Sequence, residues 1–150
     1  MTTYLIQILS AGAGALGFAI LFNNYRGQLK LIFIGGAMSW VVYLLLFLST
    51  NNAILSIFGS TVAIALLSEI GARLIMTPVI TLFVPMIIPL IPGGDLYRTM
   101  SFLVNGDVES FSSMAKFTIM QACAIAFGIL VVTLVFQIIM KTLRYIKMMK

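Results

Sequence analysis

The chain has 150 residues, 61% of them hydrophobic and only 9% charged, with a net charge of +5 from nine Lys and Arg against four Asp and Glu. Soluble domains carry roughly 25% charged residues, so an ordinary water-soluble domain is excluded. Histidine is absent, which removes histidine-based triads, haem axial histidines and most transition-metal sites; no cofactor and no metal is expected.

No charged side chain occurs between Met1 and Tyr25, and the next charge-free blocks are Leu31–Ser68, Leu74–Gly94 and Phe117–Met140. A membrane-crossing helix needs about 20 apolar residues, so the second block is too long for one span. It divides at Ser49-Thr50-Asn51-Asn52, a polar turn signal. The expectation is one all-α transmembrane domain over residues 1–150. It is a bundle of about five helices, at about 3–22, 31–48, 53–74, 76–92 and 114–140, the fourth broken by Pro and Gly. Four spans plus a re-entrant hairpin is the alternative.

The first span lacks a basic leader and is followed at once by further spans, so it reads as a span and not as a cleaved signal peptide. Within it, Ser10/Gly14 and Ala13/Gly17 are small residues four apart. Helices in lipid associate by close packing of such residues. The pattern recurs as Ser56/Ser60, Gly59/Ala63, Ala122/Ala126 and Ala124/Gly128. These faces suit either intramolecular packing or contact with another subunit, a second copy of the chain included. Asn23, in the run Phe22-Asn23-Asn24-Tyr25-Arg26-Gly27, ends the span, because Asn and Gly tolerate left-handed backbone. Trp40 and Tyr43 fall well inside the second span and read as packing residues.

In the third span Glu69 and Arg73 are four apart, the order that favours an ion pair on a helix. Charges inside spans are costly and often functional, yet Arg73 lies near the helix end, where it can snorkel. A coupling or gating role and a helix-end pair both remain open for Glu69 and Arg73.

The segment Val84–Met100, VPMIIPLIPGGDLYRTM, is the most unusual in the chain. Pro85, Pro89 and Pro92 each remove a backbone donor, so this segment is not one straight helix. Gly93 and Gly94 then permit tight backbone. Freed carbonyls at membrane depth are tolerated where protein or a water-filled cavity meets them, and broken helices commonly lie beside transport substrates. Arg98 offers a bidentate partner for a carboxylate and Tyr97 a hydroxyl. The candidate substrate path is therefore Pro85, Pro89, Pro92, Gly93, Gly94, Tyr97 and Arg98. A proline-kinked span ending in an external turn is the plain alternative.

Residues 96–103 mix polar and apolar side chains, as in a short interfacial helix. After the Asn105-Gly106 turn, Asp107 is placed to cap a helix carrying Glu109 in its first turn. That last helix extends from Val108 almost to the end of the sequence, and Gln121 is its notable polar residue at membrane depth. Cys123 stands alone, so the chain has no internal disulfide.

Cytoplasmic loops collect Lys and Arg. With the 25–30 loop inside, that side holds Arg26, Lys30, Arg73, Lys141, Arg144, Lys147 and Lys150, and the other side only Arg98 and Lys116. The split places the N-terminus outside and the C-terminus in the cytoplasm, which requires an odd number of spans. It also puts Arg98 near an outer exit and Pro85 and Pro89 nearer the midplane. The basic charge has no groove or aromatic platform beside it, so nucleic acid is not an expected partner; the bilayer is.

Three motifs together, Phe18-Ala19-Ile20-Leu21-Phe22-Asn23, Ser68-Glu69-Ile70-Gly71-Ala72-Arg73, and the Pro85–Gly94 block with Tyr97-Arg98, resemble the threonine/serine exporter family. The chain resembles the family's C-terminal membrane half, which also occurs as a separate small subunit. The resemblance implies export of a small amino acid (threonine or serine) or, as in related two-subunit succinate exporters, of a dicarboxylate, across the cytoplasmic (inner) cell membrane. It implies a hetero-oligomer with a second membrane subunit, similar to the family's N-terminal half, that carries a cytosolic portion. Asp95 departs from the small or neutral residue expected after the glycines, and an acid beside Arg98 weakens carboxylate binding there. The expected function is thus a subunit of a secondary exporter and not an enzyme. The rival is a non-transporting membrane subunit that assembles or stabilises a larger complex.

Overall fold

The computed structural model describes residues 2–148, and is 89% helical without a strand among them. Helices α1 (Thr2–Leu21), α2 (Arg26–Thr50) and α3 (Ala53–Leu74) are followed by a short helix α4 (Val79–Ile87). A 3-10 turn (Ile88–Leu90), α5 (Gly93–Val104) and the long α6 (Val108–Met148) complete the chain. The helices α1, α2, α3 and α6 are each long and apolar enough to cross a bilayer. The pair 79–90 and 93–104 meets the same test only together, bent by 54° at the break. Lys150 lies outside the described residues, as do the side chains of Arg144 and Lys147.

Each boundary has a local cause. Asn23 sits at φ 55° past the end of α1, and the Asn24 amide reaches back to the Ala19 carbonyl at 2.9 Å. That six-to-one bond around a left-handed residue is a Schellman closure, so helix termination accounts for Asn23. α2 begins at Arg26, earlier than the expected 31, since Tyr25 is already extended. α3 keeps the expected bounds because Asn52 caps it, accepting from the Ile54 and Leu55 amides. Replacing Asn52 by alanine should cost about 1 kcal/mol of stability, measurable as a lowered unfolding midpoint in detergent. An unchanged midpoint would show that packing alone fixes this end.

The expected span 76–92 starts later and ends sooner. Pro78 is extended and serves as the N-cap of α4, a preference proline also imposes on the residue before it. α4 and the 3-10 turn together rise only about 20 Å, short of the roughly 30 Å hydrocarbon layer. α6 is the opposite case: its 41 residues extend about 60 Å. Asp107 opens it, accepting from the Ser110 amide at 3.1 Å. Hydrogen bonding from Ser110, through its hydroxyl and then its amide, holds the Asp107 carboxyl below its ordinary value.

α4 is inserted against α1, α2 and α3, while α5 packs along α6 and α6 along α3. The core is Ile32, Ile64, Leu82 and Met86 with Ala15, Ala19 and Ala72. On α1 the buried face is Ala11, Gly12, Ala15 and Ala19. The pairs Ser10/Gly14 and Ala13/Gly17 face outward. Ser56 and Ser60 are buried, as are Ala124 and Gly128, whereas Ala122 and Ala126 are exposed. Large apolar side chains such as Leu5, Leu45, Ile70, Phe127 and Ile138 are exposed, the surface that a lipid solvent stabilises and water does not.

Candidate functional site

The break itself is built by successive loss of backbone bonds. Pro85 lies inside α4, so the Thr81 carbonyl four residues earlier loses its helical donor. The Asn24 side-chain amide takes that place, donating to the Thr81 oxygen at 2.5 Å. Asn24 also donates to Gln28 Oε1 at 3.3 Å, and Gln28 Nε2 donates to Thr77 Oγ1 at 2.7 Å. The Thr77 and Thr81 hydroxyls lie 3.1 Å apart. This network ties the α1–α2 connection to the start of α4. Its members were not foreseen as functional residues, although Pro85 minus four points directly to Thr81.

At the other end of α4, the 3-10 turn replaces the helical pattern once Pro89 and Pro92 remove two more donors. The Ile91 amide bonds the Ile88 carbonyl at 3.1 Å and the Leu96 amide the Pro92 carbonyl at 3.0 Å. Around this turn lies a cavity of about 140 Å³, lined by Trp40 and Tyr43 of α2, Ile57 of α3, Pro89 to Pro92, Asp95 of α5 and Gln121 of α6. Four helices and the break thus converge on one space. Trp40 and Tyr43 pack on one another, with ring centroids 5.0 Å apart, and both also line this space. Trp40 Nε1 donates to Gln7 Oε1 at 3.3 Å, and a neighbouring cleft of about 340 Å³ lies on the α1 side, lined in part by Gln7, Trp40 and Pro89.

The carboxylate and amide of the cavity lining come from α5 and α6. Asp95 and Thr99, four apart, share the face of α5 that meets α6. Gln121 Nε2 donates to Asp95 Oδ2 at 3.1 Å, and the Thr99 and Thr118 hydroxyls are 3.3 Å apart. Gln121 is only 5% exposed, and its Oε1 has no partner. A larger groove of about 620 Å³ between α3 and α6 is lined chiefly by apolar side chains such as Leu55, Phe58 and Phe127. It offers little to orient a polar solute, so the smaller cavity is the better candidate.

The residues expected along a substrate path separate into groups. Pro89 and Pro92 line the cavity. Pro85 is fully buried in the core. Gly93 and Gly94 form the exposed first turn of α5, with open space where a Cβ would stand. Tyr97 and Arg98 are exposed, Tyr97 on the side of α5 opposite Asp95 and Arg98 at the margin of the Asp95 face. Asp95 does not pair with Arg98, for the one salt bridge among the described residues joins Arg73 to Glu69.

In that bridge Arg73 Nη1 donates to Glu69 Oε2 at 2.7 Å and to the Glu69 carbonyl at 2.6 Å. The guanidinium also lies 4.6 Å from the Phe136 ring centroid. Arg73 is 42% exposed at its side chain and Glu69 only 15%, so the cation reaches outward while the carboxylate stays inside. Glu69 lines a second cavity of about 230 Å³ between α3, α4 and α6. Asn23 is exposed and joins neither cavity.

A family model described as Threonine/Serine exporter, ThrE, matches residues 7–135 of the chain, from α1 through most of α6. No curated protein and no solved structure matches.

Proposed function

Since the chain belongs to the threonine/serine exporter family, we propose that it is the membrane subunit of a secondary transporter exporting threonine, serine or a similarly small carboxylate. The observation that carries this reading is the cavity at the break, where Pro89 and Pro92 meet Asp95 and Gln121. Its volume of about 140 Å³ equals that of about five waters at ~30 Å³ each. That suits a small metabolite and falls well short of drug-sized pockets. The chemistry asked of the protein is binding and alternating access, not bond making, so we read it as a transporter and not an enzyme. The sequence has no phosphate-binding glycine loop of the P-loop type, which supports an ion gradient as the energy source.

In this reading the chain sits in the cytoplasmic membrane with its N-terminus outside. Arg98 and Tyr97 mark the outer exit, and Glu69 takes part in coupling from the inner half. The partner is a second membrane subunit with a cytosolic portion. The outward face of α1, with nothing within 4 Å of a Cβ at Gly14 or Gly17, supports helix contact with that subunit. The same face favours a second reading, in which the chain only assembles or stabilises a complex.

Counterflow in liposomes separates the two. The chain co-purified with its partner should exchange internal threonine or a dicarboxylate for labelled external substrate. Exchange of neither would overturn the exporter reading and favour the assembly reading. Glu69→Gln should lower the exchange rate about tenfold, equivalent to ~1.4 kcal/mol in the barrier, with co-purification unchanged. Arg98→Ala should lower it less, by a change in apparent affinity. Wild-type exchange by Glu69→Gln would reduce the Glu69–Arg73 pair to a helix-end contact.

A further inference from the structure

We infer that Asp95 and Gln121 form the ammonium-binding end of the cavity and make it select substrates with a primary ammonium over dicarboxylates. The inference rests on the exporter reading and deepens it. An ionised carboxylate accepts and cannot donate, so the bond from Gln121 Nε2 to Asp95 Oδ2 at 3.1 Å sets which way the Gln121 amide points. Its oxygen is then the atom left over, in a side chain 95% buried by its 5% exposure, with no donor to meet it. A buried acceptor without a donor costs about 1–3 kcal/mol, and this one belongs to a residue that lines the cavity.

The rest of the lining agrees in sign. No Lys or Arg lines the space, and Trp40, its one indole, already gives its N–H to Gln7. An ammonium carries three donors and no acceptor. It matches the Asp95 carboxylate at the cavity wall, where the two charges attract, with the unpaired Gln121 oxygen packed directly behind it. A substrate with two carboxylates meets the same carboxylate with repulsion and nothing to offset it.

Efflux from cells that make the full chain with its native membrane partners tests this assignment, using preloaded labelled threonine, succinate and lactate, the last lacking an ammonium. Removing the chain should abolish threonine efflux and leave succinate and lactate efflux unchanged. Asp95→Asn keeps size and can still accept from Gln121, yet should raise the apparent KM for threonine at least tenfold at equal membrane abundance. Asp95→Glu should recover part of that loss. A residue that merely held α5 to α6 would lower abundance and maximal rate, not affinity. If removing the chain alters efflux of none of the three, the exporter reading fails and this inference with it. If removal abolishes succinate efflux, or Asp95→Asn leaves the threonine KM unchanged, the assignment of Asp95 falls while the exporter reading stands.

Discussion

Asn24→Leu is expected to destabilise the folded chain by about 1–3 kcal/mol, and to do so only while residue 85 is proline. The Thr81 carbonyl has lost its helical donor to Pro85, and the Asn24 amide, at 2.5 Å, replaces it. Leucine supplies volume without a donor, so the carbonyl is stranded in a setting where water does not reach it cheaply. Pro85→Ala returns an N–H to the helix at the correct position. In that background Asn24→Leu should cost little, since α4 satisfies Thr81 by itself. The measurement is a double-mutant cycle on unfolding in mixed micelles, and a coupling energy above about 1 kcal/mol is the expected result. Equal losses in both backgrounds would mean that Asn24 acts through Gln28 and Thr77 instead. The same lock bears on the candidate site, because it ties the base of α4 to the α1–α2 connection while the 3-10 turn at the other end of α4 lines the cavity.

Much of this architecture is legible in the sequence, and the reasons are physical. Charge-free blocks of membrane length and the polar turn at Ser49–Asn52 leave few choices for α1 to α3, and three prolines forbid a straight fourth helix. What was not legible depends on which way helices face one another. Tyr97 and Arg98 are chemically attractive residues, but one turn of α5 directs Asp95 and Thr99 toward α6 and leaves the other two exposed. Asp95 read as a disturbance to Arg98; in the fold it pairs with Gln121, 26 positions away. Trp40 and Tyr43 carry no motif, and only the packing of α2 beside the break brings them to the cavity. The expected centre at Pro85 and Pro89 divides: Pro85 is buried in the core, while Pro89 and Pro92 line the candidate cavity with polar neighbours from other helices.

The small-residue pairs show the same limit most sharply, and they give the second large effect. Gly36→Leu should destabilise the chain by about 3 kcal/mol, the upper range for overpacking, whereas Gly14→Leu should change stability by less than about 0.5 kcal/mol. A Cβ at Gly36 would meet the Ala15 Cβ and, at 3.1 Å, the Ala11 carbonyl. Both neighbours belong to a rigid helix and neither can rotate aside, so α1 and α2 must separate. That contact also seats Ala15 and Ala19 in the core with Ile32, so separation spreads to the packing of α4. At Gly14 nothing lies within 4 Å of the added carbon, and the chain itself has no use for the small residue there. If that face receives a helix of the partner subunit, Gly14→Leu should keep the wild-type unfolding midpoint and lose co-purification. Retained co-purification would remove this face from the interface, and loss of stability at Gly14 would mean that α1 packs differently in the folded chain. The two glycines therefore separate what holds this chain together from what the proposed subunit contact would require.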